Sequence, residues 1–247
     1  MAKIIIPDGN NDKKQVRVDN VITDLNGTLI DGGPLFDKAA SKVLTDTYGI
    51  KLLPDSIWGD FFKYIKENNI KGDVNKLFSE YVITRYALKD GKGQTVSAAK
   101  FGKQQDRELE KLFTTIGYQP GAGEFLRDFR QVGDQMALVT NSSPEQIEML
   151  KANPVLNKVF PFSNFDKIIT GDKAQGYETA LGVLDPRGKR MAFEDDVKGI
   201  KPAIASRTKT EKELPICAVN VKPKDKEEVG KLADHMVKTH ADIEIER

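Results

Sequence analysis

The chain has 247 residues, 39% hydrophobic and 30% charged, enough for one large domain or a core with a smaller insert. Its 38 Lys and Arg nearly cancel its 37 Asp and Glu, and a net charge of +1 argues against nucleic-acid binding by bulk electrostatics. A single cysteine, Cys217, excludes an internal disulfide, and two histidines, His235 and His240, make a His-rich metal site or a Ser-His-Asp triad a poor fit. Ile4-Ile5-Ile6 before Pro7 is too short for a signal-peptide core, and no apolar run reaches membrane-span length, so a cytoplasmic protein with no membrane partner is expected.

Residues 1–19 form an extension. Lys3–Ile6 and Gln15–Val18 flank Pro7-Asp8-Gly9-Asn10-Asn11-Asp12, which suits a β-hairpin or a tail covering an edge. Val21–Leu25 then reads as an apolar strand that carries Asp24 and runs through Asn26 into a tight turn at Gly27, with the Thr28 hydroxyl beyond. Such a segment sets one nucleophilic Asp at the carboxyl edge of a parallel sheet.

Residues 34–117 interrupt the strand pattern. Phe36, Ala39, Ala40, Val43 and Leu44 recur at helical spacing, as do Val74, Leu77, Phe78, Tyr81 and Val82, and then Leu109, Leu112, Phe113 and Ile116. An all-helical subdomain is expected, bounded by Gly32-Gly33-Pro34 and by Gly117 to Gly121, crossings that suit a hinge or ordinary loops. Its 14 Lys and Arg against 11 Asp and Glu suit an anionic ligand, or equally a solvated surface. Lys89–Thr95 reads as an exposed loop, because it lacks P-loop spacing and follows a helix.

Residues 20–33 and 118–247 read as an α/β core. Met136–Thr140, Lys167–Thr170, Met191–Glu194 and Ile216–Val221 are short apolar strands that alternate poorly, as strands covered on both faces do. Gln146–Asn153, Tyr177–Leu184 and Lys224–Leu232 read as helices, the first opened by Ser143, Pro144 and Gln146 as a capping box. Alternating strands and helices predict a Rossmann-like, doubly wound parallel sheet with right-handed crossovers.

Strand ends of such a sheet converge on one crevice. They would bring together Asp24, then Thr140-Asn141, then Lys173 of Gly171-Asp172-Lys173, then Glu194-Asp195-Asp196. The set holds a carboxylate nucleophile, a hydroxyl donor, a cation and an acidic cluster. A carboxylate can attack phosphorus and split one hard hydrolysis into two easier steps. Phosphoryl transfer then needs positioning and charge stabilisation, which a hard divalent cation such as Mg²⁺ on oxygen ligands supplies. Asp24 and Asp195 would share the metal, and Lys173 would offset the acids and hold the phosphate. Thr140 would donate to a phosphate oxygen, and a backbone N–H at the Gly27 turn could do the same.

The order of these elements resembles the haloacid dehalogenase superfamily, from residue 20 to about 243, in its phosphatase and phosphoglucomutase-like branch. Asp24-Leu25-Asn26-Gly27-Thr28 is similar to its first motif, Asp-x-Asp-Gly-Thr. Ala137–Ser142 resembles the second motif and Lys173 the third. Phe193-Glu194-Asp195-Asp196 with Gly199-Ile200 resembles the fourth. The resemblance implies a helical cap inserted after the first motif and an aspartyl-phosphate at Asp24. Metal would be held by Asp24, the Asn26 carbonyl, Asp195 and Glu194, the last directly or through water. The substrate would be a small phosphorylated metabolite selected by the cap.

Two departures stand out. The usual Lys-Pro-x-Pro continuation is here Lys173-Ala174-Gln175-Gly176-Tyr177, and the second Asp of the first motif is Asn26. In the family that Asp protonates the leaving group and later activates water. Asn can hydrogen-bond but cannot transfer the proton, which removes a term usually worth about 10²–10⁴-fold. Four readings of Asn26 stand: an Asp-to-Asn variant of an active phosphatase, a natural enzyme with slow turnover or a good leaving group, a binding or regulatory protein on the same scaffold, and an Asn-Gly pair that deamidates to restore the acid.

Overall fold

The computed structural model describes residues 2–7, 13–51, 56–210 and 212–246. Contacts divide the chain into two compact units, Gly32–Thr114 and the pair of segments Met1–Asp31 and Thr115–Arg247.

The first of these is helical. Helices α1 (Gly33–Tyr48), α2 (Ile57–Glu67), α3 (Val74–Arg85) and α4 (Ala98–Phe113) each bury one apolar face. Ala40, Val43 and Leu44 of α1 pack with Phe61, Phe78, Val82 and Phe101 in one cluster. Trp58 stacks flat on Phe78 with ring centroids 3.8 Å apart. Three of the starts are capped by side chains: Ser56, Asp73 and Ser97 each accept from the backbone N–H three residues on. Helix α2 lies outside the three expected helical runs, although Trp58, Phe61, Phe62 and Ile65 recur at helical spacing. Lys89–Thr95 is a tight loop in which the Asp90 N–H donates to the Gln94 carbonyl at 2.8 Å.

The second unit is built on a six-stranded sheet. Strands β1 (Ala2–Pro7) and β2 (Lys13–Val18) pair antiparallel, with Ala2 opposite Val18, and the turn expected between them lies outside the described residues. The main sheet has the order β5-β4-β3-β6-β7-β8 and every pairing in it is parallel. Its members are β3 (Asn20–Thr23), β4 (Gln135–Thr140), β5 (Lys167–Thr170), β6 (Arg190–Glu194), β7 (Ile216–Ala218) and β8 (His235–Met236). Helices α5 (Ala122–Val132), α6 (Pro144–Lys151), α7 (Pro154–Val159), α8 (Lys173–Val183), α9 (Val197–Thr210) and α10 (Lys226–Leu232) connect them. The Ser143–Gln146 capping box opens α6 as the sequence suggests. A last strand, β9 (Glu244–Glu246), pairs antiparallel with β1, so the extension becomes a separate three-stranded sheet.

Both faces of the main sheet are covered, which accounts for its continuous apolar strands. On one face Ile22, Ala137, Val139 and Ala192 pack with Tyr177, Leu181 and Ile200. Phe193 points the other way and meets Phe125 of α5, ring centroids 4.8 Å apart. No helix among the described residues is long and apolar enough to cross a membrane.

His240 lies buried between Phe125 and Phe193, at ring distances of 5.3 and 5.6 Å, and neither ring nitrogen has a hydrogen-bond partner among the described residues. Burial pushes its pKa down from the usual 6.5 to about 3. The folded His therefore stays neutral while the unfolded one takes a proton below about pH 6.5. Stability from this site is intact above that pH and is lost on acidification toward pH 3, at up to about 1.4 kcal/mol per pH unit. His240→Leu is expected to abolish that term. Urea midpoints should show the variant gaining on the wild type steadily from pH 7 to pH 4, and a constant difference would refute a neutral buried imidazole.

Candidate active site

Strand β3 sits between β4 and β6, with Thr23 in register with Leu138 and Phe193. It ends one residue before Asp24, whose N–H still donates to the Phe193 carbonyl at 3.0 Å. The backbone of Asp24 is thus locked in the middle of the sheet while its side chain leaves at the carboxyl edge. Residues 25–30 fold back at once: Gly27 N–H donates to the Ile30 carbonyl at 2.7 Å, and Ile30 N–H to Leu25 at 3.0 Å.

This turn corrects one expectation. The Gly27 N–H is occupied within the turn and is not offered to a phosphate. Asn26 forms an isolated parallel bridge with Ile30, a pattern that uses the peptide groups on either side and leaves the Asn26 N–H and C=O without partners among the described residues. The Gly is required for another reason. Gly27 has φ +90°, and a Cβ there would stand 2.1 Å from Asp195 Oδ2. Asn220, just beyond β7, donates its side-chain amide to the carbonyls of Gly27 (3.2 Å) and Thr28 (2.9 Å), fixing the turn from the far side.

Around Asp24 the charged groups interlock. Lys173, the first residue of α8, lies 2.9 Å from Asp24 Oδ1 and donates to Glu194 at 2.8 and 3.1 Å. Asp172 caps α8 by accepting from Gln175, which aims the preceding turn and Lys173 at the sheet edge. Tyr177, one helical turn on, donates to Glu194 Oε1 at 2.6 Å. Gly199 of α9 lets Glu194 in, since a Cβ there would lie 1.9 Å from its Oε2. The Thr28 hydroxyl is shared between Asp24 Oδ2 at 3.4 Å and Asp195 Oδ1 at 3.3 Å.

One oxygen each of Asp24, Glu194 and Asp195 lie within 4.8 Å of one another, all three residues buried. Burial raises the pKa of Asp24, with Lys173 pulling the other way. Burial and the neighbouring Asp24 raise Glu194 well above the carboxylate range. Asp195 is pushed to about 7, by burial first and then by Asp24 and Asp196. Lys173 would be lowered by burial, but Glu194 and Asp24 together outweigh that and raise it. Three acids thus face one ammonium. The shortfall of positive charge and the all-oxygen donor set fit a hard divalent cation.

Thr140, at the end of β4, is buried and its hydroxyl accepts from the Ser142 N–H at 3.1 Å, which leaves its own hydrogen to donate. Asn141 is exposed beside it. The side chain of Asn26 donates from Nδ2 to Ser142 Oγ at 2.9 Å. All the residues singled out at the strand ends therefore stand at one edge of one unit. Sequence reading missed Tyr177, Ser142 and Asn220 as parts of it. The signal was present for Ser142, two residues past a strand end, but Tyr177 reads as core and Asn220 as strand.

A parallel α/β sheet thus brings a carboxylate, a lysine and a hydroxyl together at its carboxyl edge. The chain belongs to the haloacid dehalogenase-like hydrolase family, whose model matches residues 18–207. A search of curated proteins found no match. Among solved structures the chain is similar to a candidate β-phosphoglucomutase from Thermotoga maritima, with 20% identity over 91% of this chain and 96% of that one and a TM-score of 0.65. YfnB from Bacillus subtilis, bound to magnesium, is 16% identical over 91% and 96%, with a TM-score of 0.64. An Asp-to-Asn mutant of CbbY from Rhodobacter sphaeroides, in complex with xylulose-(1,5)bisphosphate, is 19% identical over 91% and 95%, with a TM-score of 0.59.

Proposed function

We propose that this chain is a Mg²⁺-dependent phosphatase that hydrolyses a small phosphomonoester through an aspartyl-phosphate on Asp24. The observation that carries the reading is the buried Asp24 carboxylate, held by Lys173 at 2.9 Å and flanked by Glu194 and Asp195. An Asp24 oxygen attacks phosphorus, the P–O ester bond breaks, and the leaving oxygen carries off the electron pair. Water then attacks phosphorus and releases phosphate and the Asp24 carboxylate. Lys173 and Thr140 hold the phosphoryl oxygens throughout, and the Asn26 N–H serves the role first expected of Gly27. Asp24, Asp195 and the Asn26 carbonyl would hold Mg²⁺, which neutralises phosphoryl charge when bound. Both Glu194 oxygens accept from Lys173, and Oε1 also from Tyr177, so Glu194 serves chiefly as the anchor of the lysine.

Asn26 holds its amide against Ser142 and supplies no proton to the leaving group. This favours slow turnover with intact ligand binding, in keeping with the Asp-to-Asn mutant of CbbY that holds a bisphosphate. Activated aryl phosphates are the right probe, because their leaving groups need the least protonation. Hydrolysis of p-nitrophenyl phosphate is expected with Mg²⁺ and not with EDTA, and Asp24→Ala is expected to remove it. Activity that survives in Asp24→Ala refutes the mechanism.

A further inference from the structure

The opposite edge of the same sheet carries a second feature. A cleft of about 370 Å³ opens between β2 and the starts of β6 and β8, lined by Lys14, Arg17, Lys189, Arg190 and His235 with Glu213 as its one carboxylate. None of the four Lys and Arg makes an ion pair among the described residues. Arg190 is 7% exposed, so its charge is held in a largely dry setting. Its Nη2 donates to the Asp185 carbonyl at 2.7 Å, while its Nε is buried with no partner among the described residues. A buried guanidinium with unspent donors costs stability unless a ligand takes them.

We propose that this cleft binds a small phosphate-bearing anion. Four cations against one carboxylate in the lining, with Asp185 behind Arg190 and Asp234 behind His235, leave a net positive cleft that suits a multiply charged phosphate, and the exposed Arg17 guanidinium can match its oxygens. A volume of about 370 Å³ suits a small molecule and not a segment of nucleic acid. The site is distinct from that of Asp24. Arg190 opens β6 and Glu194 closes it, so the two lie roughly 13 Å apart along the strand at about 3.3 Å per residue. Asn20, opposite Arg190 in register, opens the strand that leads into Asp24, so the anion would sit under the base of both catalytic strands.

Pyrophosphate is the probe, followed by isothermal titration of the full chain without Mg²⁺ at about 0.15 M salt, where exposed charges are screened. The wild type is expected to bind it, and Lys14→Gln with Arg17→Gln, both on an exposed edge strand, to weaken binding at least tenfold. Aryl phosphate hydrolysis should be unchanged in that double variant, which separates the cleft from Asp24. Binding within twofold of wild type overturns the proposal. So does equal weakening by Lys42→Gln with Lys63→Gln, which removes the same charge from the helical unit and would mean bulk attraction only.

Discussion

Asn26→Asp is expected to raise hydrolysis of an unactivated alkyl phosphate by about 10²–10⁴-fold, the usual worth of a positioned general acid and base. The present amide donates from Nδ2 to Ser142 Oγ at 2.9 Å. A carboxylate has the same shape, and Ser142 can rotate its hydroxyl to donate instead, so the turn need not move. The new group would stand beside the oxygen that leaves Asp24-bound phosphorus, able to protonate it and then to accept a proton from water. The gain must depend on the leaving group. An aryl phosphate leaves unaided and should speed up far less than an alkyl ester. Ratios of kcat for the two esters, variant over wild type, decide the matter. Equal gains would mean that the substitution acts on binding or folding, and no gain would mean that Asn26 belongs to a site put to another use. Peptide mass mapping of position 26 must accompany the comparison, since deamidation at Asn26-Gly27 would give wild-type preparations a fraction of the variant.

What was legible beforehand follows from how local each signal is. The Asp24 strand, the turn at Gly27 and the cap at Ser143 are set by neighbours in sequence, and periodicity or turn chemistry exposes them. Lys173 was found without its usual prolines because it follows a strand and a Gly-Asp pair at the right interval. The two-residue β8 and three-residue β9 are strands only because β7 and β1 present partners; nothing in so short a run separates them from coil. The strand expected over Ile216–Val221 stops at Ala218, since Asn220 turns to φ +54° to reach the Gly27 turn. Gly199 illustrates the same limit. Its reason is Glu194, brought against it only when α9 docks behind β6. Ser142 stands within a recognisable motif, yet its role is fixed by Asn26, which lies 116 residues away.

Lys173→Met carries the second large expectation. It removes the one cation among the described residues in direct contact with Asp24 and Glu194, both essentially excluded from water. Breaking a buried pair from one side typically costs about 3–5 kcal/mol, because the orphaned charge keeps its desolvation penalty. Here two carboxylates are orphaned, and Asp195 lies close enough to add to the repulsion. The loss has a direction in pH. Burial already raises Asp24, Glu194 and Asp195, and removal of Lys173 raises them further, so each takes up a proton more readily in the folded state than in the unfolded one. Protonation relieves the repulsion. The variant is therefore most destabilised above pH 7, where unfolding frees the acids to ionise in water, and it recovers as pH falls toward 5. Excess Mg²⁺ should restore part of the deficit at pH 8, and more for the variant than for the wild type, since a cation bound only by the folded site stabilises by mass action. Urea midpoints at pH 8 and pH 5.5, with and without Mg²⁺, test both halves. A loss equal at the two pH values and blind to Mg²⁺ would show that Lys173 contributes packing alone, and that the acids at the strand ends are not a charge-poised centre fit for phosphoryl transfer.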